Sequence, residues 1–114
     1  MNKCMFIGNL TKDPEIRQTQ SGDSVGNFTI AVRRDYDKDN ADFFKVTAWK
    51  GLADICGKYL KKGSKVAVFG TLQTTSFTDK DGNKKTITEI IAADVEFLSK
   101  EVDNKDVPNE KLPF

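Results

Sequence analysis

Apolar residues recur at every second position through most of residues 3–98, and at intervals of three and four in one stretch alone. A period of two puts alternate side chains on opposite faces of a strand, whereas a period near 3.6 makes the stripe of an amphipathic helix. The chain is therefore predicted to be all-β with one short helix. "KCMFIGNL" reads as a first, largely apolar strand. "VGNFTIAVRR" sets Phe28, Ile30 and Val32 against Thr29, Ala31 and Arg33. "FFKVTAWK" sets Phe44, Val46 and Ala48 against Phe43, Lys45, Thr47 and Trp49. The period changes in "GLADICGKYLKKG", where Leu52, Ile55, Cys56, Tyr59 and Leu60 take helical spacing. Lys61 and Lys62 suit the C-terminal end of that helix, and Gly63 is expected just past it. "SKVAVFGTLQTTSF" and "TITEIIAADVEFL" are the last two strands, joined by a turn around Asp81-Gly82.

Two polar segments interrupt this pattern. "TKDPEIRQTQSGDS", with Pro14 and Gly22, is expected to be loop with some extended backbone, and "DYDKDNAD" a charged loop. Three strands, a helix and two strands is the layout of an OB-fold, a five-stranded Greek-key barrel with its helix between strands 3 and 4. Strands must bend to close a barrel, and Gly8 and Gly70 mark the expected bends. Residues 99–114 carry no usable periodicity and are expected to form a flexible, disordered C-terminal tail after a domain of residues 1–98.

The 114 residues suit one domain with its own core. Net charge is +1: residues 1–98 hold fifteen Lys or Arg against thirteen acids, and residues 99–114 three against four. Any polyanion must therefore be met by cations clustered in space, not by an overall excess. No apolar run approaches the roughly 18 residues that span a membrane, and the N-terminus does not read as a signal peptide. The two cysteines, Cys4 and Cys56, are far apart, and histidine is absent. A reducing cytoplasmic compartment, with both thiols as small buried hydrophobes, is the simplest expectation. No metal or other cofactor is implied. "DYDKDNAD" begins like a calcium loop, but Asn40 stands where the glycine belongs and Val46 where the glutamate belongs. Nothing points to catalysis, since no His-based dyad or triad can form.

The informative feature is a pair of aromatics on the polar face. If Phe44, Val46 and Ala48 face the core, Phe43 and Trp49 face outward with Lys45 between them. Exposed aromatics interleaved with cations suit a single nucleic-acid strand, whose bases stack and whose phosphates pair with lysine. Tyr36, beside Arg33 and Arg34, and Phe77, near Lys80, Lys84 and Lys85, extend the set. Each residue also has a plainer reading: Trp49 as the rim of the core, Tyr36 as a merely exposed loop residue, Phe43 as a subunit contact, Phe77 as a hairpin cap.

"FIGNLTKDPEIRQTQSGDSVGNFTIAV", "YLKKGSKVAVFGTLQTTSF" and "TEIIAADVEFL" resemble the bacterial and phage single-stranded DNA-binding protein family over about residues 1–98. The resemblance implies an OB-fold protein, usually a homotetramer, that coats single-stranded DNA without sequence preference in replication, recombination and repair. It implies stacking aromatics at Tyr36, Phe43, Trp49 and Phe77, several of which are Trp in other members. Arg17, Arg33, Arg34, Lys45, Lys62 and Lys85 are the candidate phosphate contacts. Family members commonly end in an acidic tip closing on Pro-Phe, which replication and repair proteins hold. Leu112, Pro113 and Phe114 match it, whereas Lys111 departs from the acidic pattern. The resemblance places the protein in the cytoplasm, on the nucleoid or, for a phage protein, in its host. Two other readings stay open: an adaptor that mainly binds proteins through its aromatic face and tail, and an RNA-binding OB module.

Overall fold

The computed structural model describes residues 1–98, and of Lys38 the backbone alone. The expected tail 99–114, with its tip Leu112, Pro113 and Phe114, lies outside the described residues. The elements are β1 (Cys4–Leu10), β2 (Glu15–Gln18), β3 (Ser24–Arg34), β4 (Asp37–Trp49), α1 (Lys50–Tyr59), β5 (Lys65–Thr78) and β6 (Lys84–Phe97).

Strands pair in the order β1-β5-β6-β4-β3-β2, and β1 also pairs with β3 at Asn9↔Ala31 and Leu10↔Ile30. That second pairing closes five strands into a barrel and leaves β2 outside, on β3. All pairings are antiparallel except β4 with β6, where Lys45, Val46 and Thr47 run alongside Glu89, Ile90 and Ile91. This is the expected OB-fold, and its helix lies where the sequence places it, after the "FFKVTAWK" strand. β1 serves two neighbours because it passes close over β3: a Cβ on Gly8 would lie 2.6 Å from the carbonyl oxygen of Ala31. Gly70 sits at the register shift between β5 and β6, and a Cβ there would collide with the carbonyl of Ile91. Both glycines occupy points where two backbones approach too closely for any side chain.

Residues of even number on β3 and β4 supply the core predicted from their alternation. Phe28, Ile30, Val46 and Ala48 are buried with Leu10, Val66, Val68, Ile90 and Val95. Phe44 packs against this cluster from its edge and stacks on Phe6, with ring centroids 4.5 Å apart. The helix closes one end of the barrel through Ala53 and Cys56.

One local expectation is sharpened and three are corrected. The expected loop after β1 contains β2, whose four residues pair with Ser24–Asn27. β2 lacks alternation because its lone apolar residue, Ile16, packs over Gly26 and Gly57. The expected charged loop 35–42 is mostly β-hairpin, with a turn at Asp35 and Tyr36 and a register shift at Arg33/Arg34. A hairpin that projects beyond a barrel has two wet faces, so hydropathy does not reveal it. Gly63 is not the residue that ends the helix. The helix closes at Leu60, in extended conformation, and Gly63 adopts φ +90° in the following turn. Finally, Cys4 is half-buried, whereas Cys56 is fully buried as expected.

Candidate nucleic-acid interface

The outward face of β4 carries Phe43, Lys45, Thr47 and Trp49 in sequence. Phe43 is 65% exposed and Trp49 44%. Burial on the other face is enforced by Val46 and Ala48, so the pleat leaves these two rings no place in the core. Cross-strand register extends the face in both directions. On the β3 side, Ala31, Thr29, Asn27 and Val25 stand beside Phe43, Lys45, Thr47 and Trp49. Arg17 of β2 pairs with Val25, so Arg17, Val25 and Trp49 form one row across three strands. On the β6 side, Lys45 stands beside Glu89.

Phe77 belongs to this same face. It pairs with Lys85, and Lys85, Ile87 and Glu89 alternate onto one side of β6. Phe77 and Lys85 thus lie four residues beyond Glu89, about 13 Å along the β5–β6 hairpin at ~3.3 Å per residue. Phe77 is 43% exposed. Lys85 reaches back to Asp79, 3.7 Å away, the residue whose carboxylate holds the turn by accepting from the Asp81 and Asn83 amides. Tyr36 stands at the tip of the β3–β4 hairpin, 83% exposed. Register places Arg33 on Phe43's side of that hairpin, through Ala41.

Arg34 is differently engaged. Its guanidinium grips Asp42 with two charge-assisted hydrogen bonds, Nη2 to Oδ1 at 2.8 Å and Nε to Oδ2 at 3.1 Å. The bond from Arg34 holds the Asp42 carboxyl below its ordinary range, and the bond to Asp42 raises Arg34. Lys62 lies in the turn after the helix, where its backbone N–H donates to Asp13 at 2.8 Å and its side chain is exposed.

Sequence patterns did not single out Lys12, Thr47 and Glu89 on this face. Lys12 joins Arg17 and Lys45 around a shallow groove of about 300 Å³, alongside Asp13, Glu15, Asn27 and Thr29. Thr47, although on the outward face, is only 8% exposed. Its hydroxyl lies 3.0 Å from Asn27 Oδ1 and 3.2 Å from Glu89 Oε1. One hydroxyl proton cannot serve two acceptors. An Asn27 turned to present its amide nitrogen donates to Thr47, which then donates to Glu89.

The face therefore combines flat apolar rings with cations and a fixed central carboxylate. Rings accept bases on their π-faces and cations pair with phosphates. No His, Cys, Asp or Glu group among the described residues could hold a metal ion, and no described helix is long and apolar enough to cross a membrane.

A sequence model of the Single-strand binding protein family matches residues 1–98. The chain belongs to this family. It is 44% identical over 102 residues to a single-stranded DNA-binding protein of Caldanaerobacter subterraneus subsp. tengcongensis, covering 86% of this chain and 68% of the relative. It is 45% identical over 105 residues to single-stranded DNA-binding protein 1 of Chlorobaculum tepidum, covering 86% of this chain and 65% of the relative. A relative of similar length is single-stranded DNA-binding protein 1 of Clostridium acetobutylicum, 45% identical over 103 residues, with 86% of this chain and 94% of the relative covered. The chain thus spans about two thirds of the first two relatives and nearly all of the third. The matched span ends where the described residues end.

Proposed function

We propose that this family member binds single-stranded DNA without sequence preference, coating and protecting it in replication, recombination and repair. The observation that carries the reading is the pair Phe43 and Trp49, exposed on one strand with Lys45 between them. Tyr36, Phe43, Trp49 and Phe77 stack the bases. Arg17, Arg33, Lys45, Lys62 and Lys85 contact phosphates, and Arg34 does so once it leaves Asp42. The names of the relatives support the same ligand. Residues 1–98 form the DNA-binding domain. The segment 99–114, outside the described residues, recruits replication and repair proteins through Leu112, Pro113 and Phe114 at its tip. A homotetramer carries one strand over several such faces, which raises avidity through effective concentration. The protein has no catalytic role and works in the cytoplasm.

Trp49 is the only tryptophan and reports directly. A titration with oligo-dT is expected to quench its fluorescence strongly, and part of the quenching survives high salt. Duplex DNA of matched length leaves it nearly unchanged, because paired bases are already stacked on one another. Equal quenching by duplex, or none by either, overturns the reading. Direct competition between DNA and RNA oligomers tests the RNA alternative. Deletion of residues 110–114 should leave DNA binding intact and abolish capture of partner proteins. Loss of DNA binding in that deletion contradicts the proposed division of labour.

A further inference from the structure

We infer that the phosphodiester backbone crosses β4 on its β2 side, in the groove of Lys12, Arg17 and Lys45, and that Glu89 keeps it off the β6 side. The inference rests on the single-strand reading above and gives that strand a transverse polarity.

The two sides of β4 differ in charge. On the β2 side, three cations from three places in the chain line one groove: Lys12 after β1, Arg17 on β2 and Lys45 on β4. Two acids share the groove, but Asp13 already accepts the Lys62 backbone N–H at 2.8 Å, and Glu15 is its second carboxylate. Asn27 and Thr29 complete the lining with groups able to donate to phosphate oxygens. On the β6 side the side chain beside Lys45 is Glu89. Glu89 is half-buried and its carboxylate accepts from the Thr47 hydroxyl at 3.2 Å, which restrains it more than a free surface glutamate. No Lys or Arg among the described residues forms an ion pair with it.

A fixed anion repels a phosphate wherever the two approach, and a groove whose cations outnumber its carboxylates attracts it. A strand whose bases lie on Phe43 and Trp49 can place its backbone on either side of β4. Beside Lys45 the charge distribution favours the β2 side and disfavours the β6 side, and Lys85, about 13 Å further along the β5–β6 hairpin, meets the strand only beyond Glu89. Lys12, which no sequence pattern identifies, thereby becomes a phosphate contact. Glu89 becomes the residue that positions the backbone.

The test is the salt dependence of oligo-dT binding in the full chain, read by Trp49 quenching. Each lost phosphate contact lowers the slope of log K against log salt by about 0.7 for a single strand. Lys12→Gln is expected to show that decrease, losing about fivefold less affinity than the parent protein over a tenfold rise in salt. Its maximal quenching is unchanged, because the bases still lie on the rings. Lys3→Gln, which precedes β1 and lines a separate pocket with Phe69 and Gly70 rather than this groove, keeps the parent slope. Glu89→Gln, which retains the Thr47 hydrogen bond, should bind more tightly at low salt with unchanged quenching. An unchanged slope in Lys12→Gln, an equal decrease in Lys3→Gln, or weaker binding by Glu89→Gln overturns the inference. Failure of the parent protein to bind oligo-dT overturns the proposed function instead.

Discussion

Ile16 of β2 fills the notch left by Gly57 on α1, so closely that a Cβ on Gly57 would lie 2.5 Å from Ile16 Cγ1. In an exposed helix, Gly→Ala gains close to 1 kcal/mol in propensity. Here overpacking against Ile16 opposes that gain at about 1–3 kcal/mol. Gly57→Ala is therefore expected to destabilise the protein in urea. In an Ile16→Ala background the same change should stabilise it. A double-mutant cycle measures the difference, and additive effects would show that the notch does not matter.

Phe43 and Trp49 should differ from the cations in how their loss responds to salt. Phe43→Ala is expected to weaken oligo-dT binding by about 1–3 kcal/mol, the worth of one stacked base. The loss should be similar at low and high salt, because stacking releases no counterions. A loss that vanishes at high salt would assign Phe43 to an electrostatic role it has no chemistry for.

Asp42→Ala should free the Arg34 guanidinium from its hydrogen bonds to the carboxylate. Oligo-dT affinity at low salt is expected to rise and the salt slope to steepen by about 0.7 as a new phosphate contact forms. The pair is exposed, so the urea midpoint should hardly move. An unchanged slope would mean that Arg34 does not reach the strand even when released.

Burial pushes the Cys56 thiol up to about 11 from 9.0. Its folded value lies above the unfolded one. The thiol's contribution to stability is therefore complete below pH 9.0 and is lost as pH rises toward about 11. Cys56→Ala should flatten the fall in urea midpoint across that window. In the native protein Cys4, half-buried, should react with a thiol reagent well before Cys56, which reacts only on unfolding.

The barrel was legible because burial on one face of a strand imposes alternation. Phe28, Ile30 and Val46 announce the core, and the same parity sends Phe43 and Trp49 outward. β2 was not legible, since all four of its residues are exposed and its single apolar residue, Ile16, carries no period. The projecting part of the β3–β4 hairpin was not legible either, because both of its faces meet water.

Local residue pattern by itself determined which side chains leave the core: parity along one strand needs no knowledge of its neighbours. Residue types likewise determined the bends, since Gly8 and Gly70 are the residues that tolerate the closest backbone approaches. Tertiary structure alone decided what lies beside what. Strand order and register bring Phe77 and Lys85 onto the face of Phe43. They gather Lys12, Arg17 and Lys45 around one groove. They set Glu89 beside Lys45 with Thr47 holding its carboxylate. The reason is physical: pairing between strands distant in sequence is chosen by barrel closure and core packing together, and neither leaves a periodic trace in any one segment.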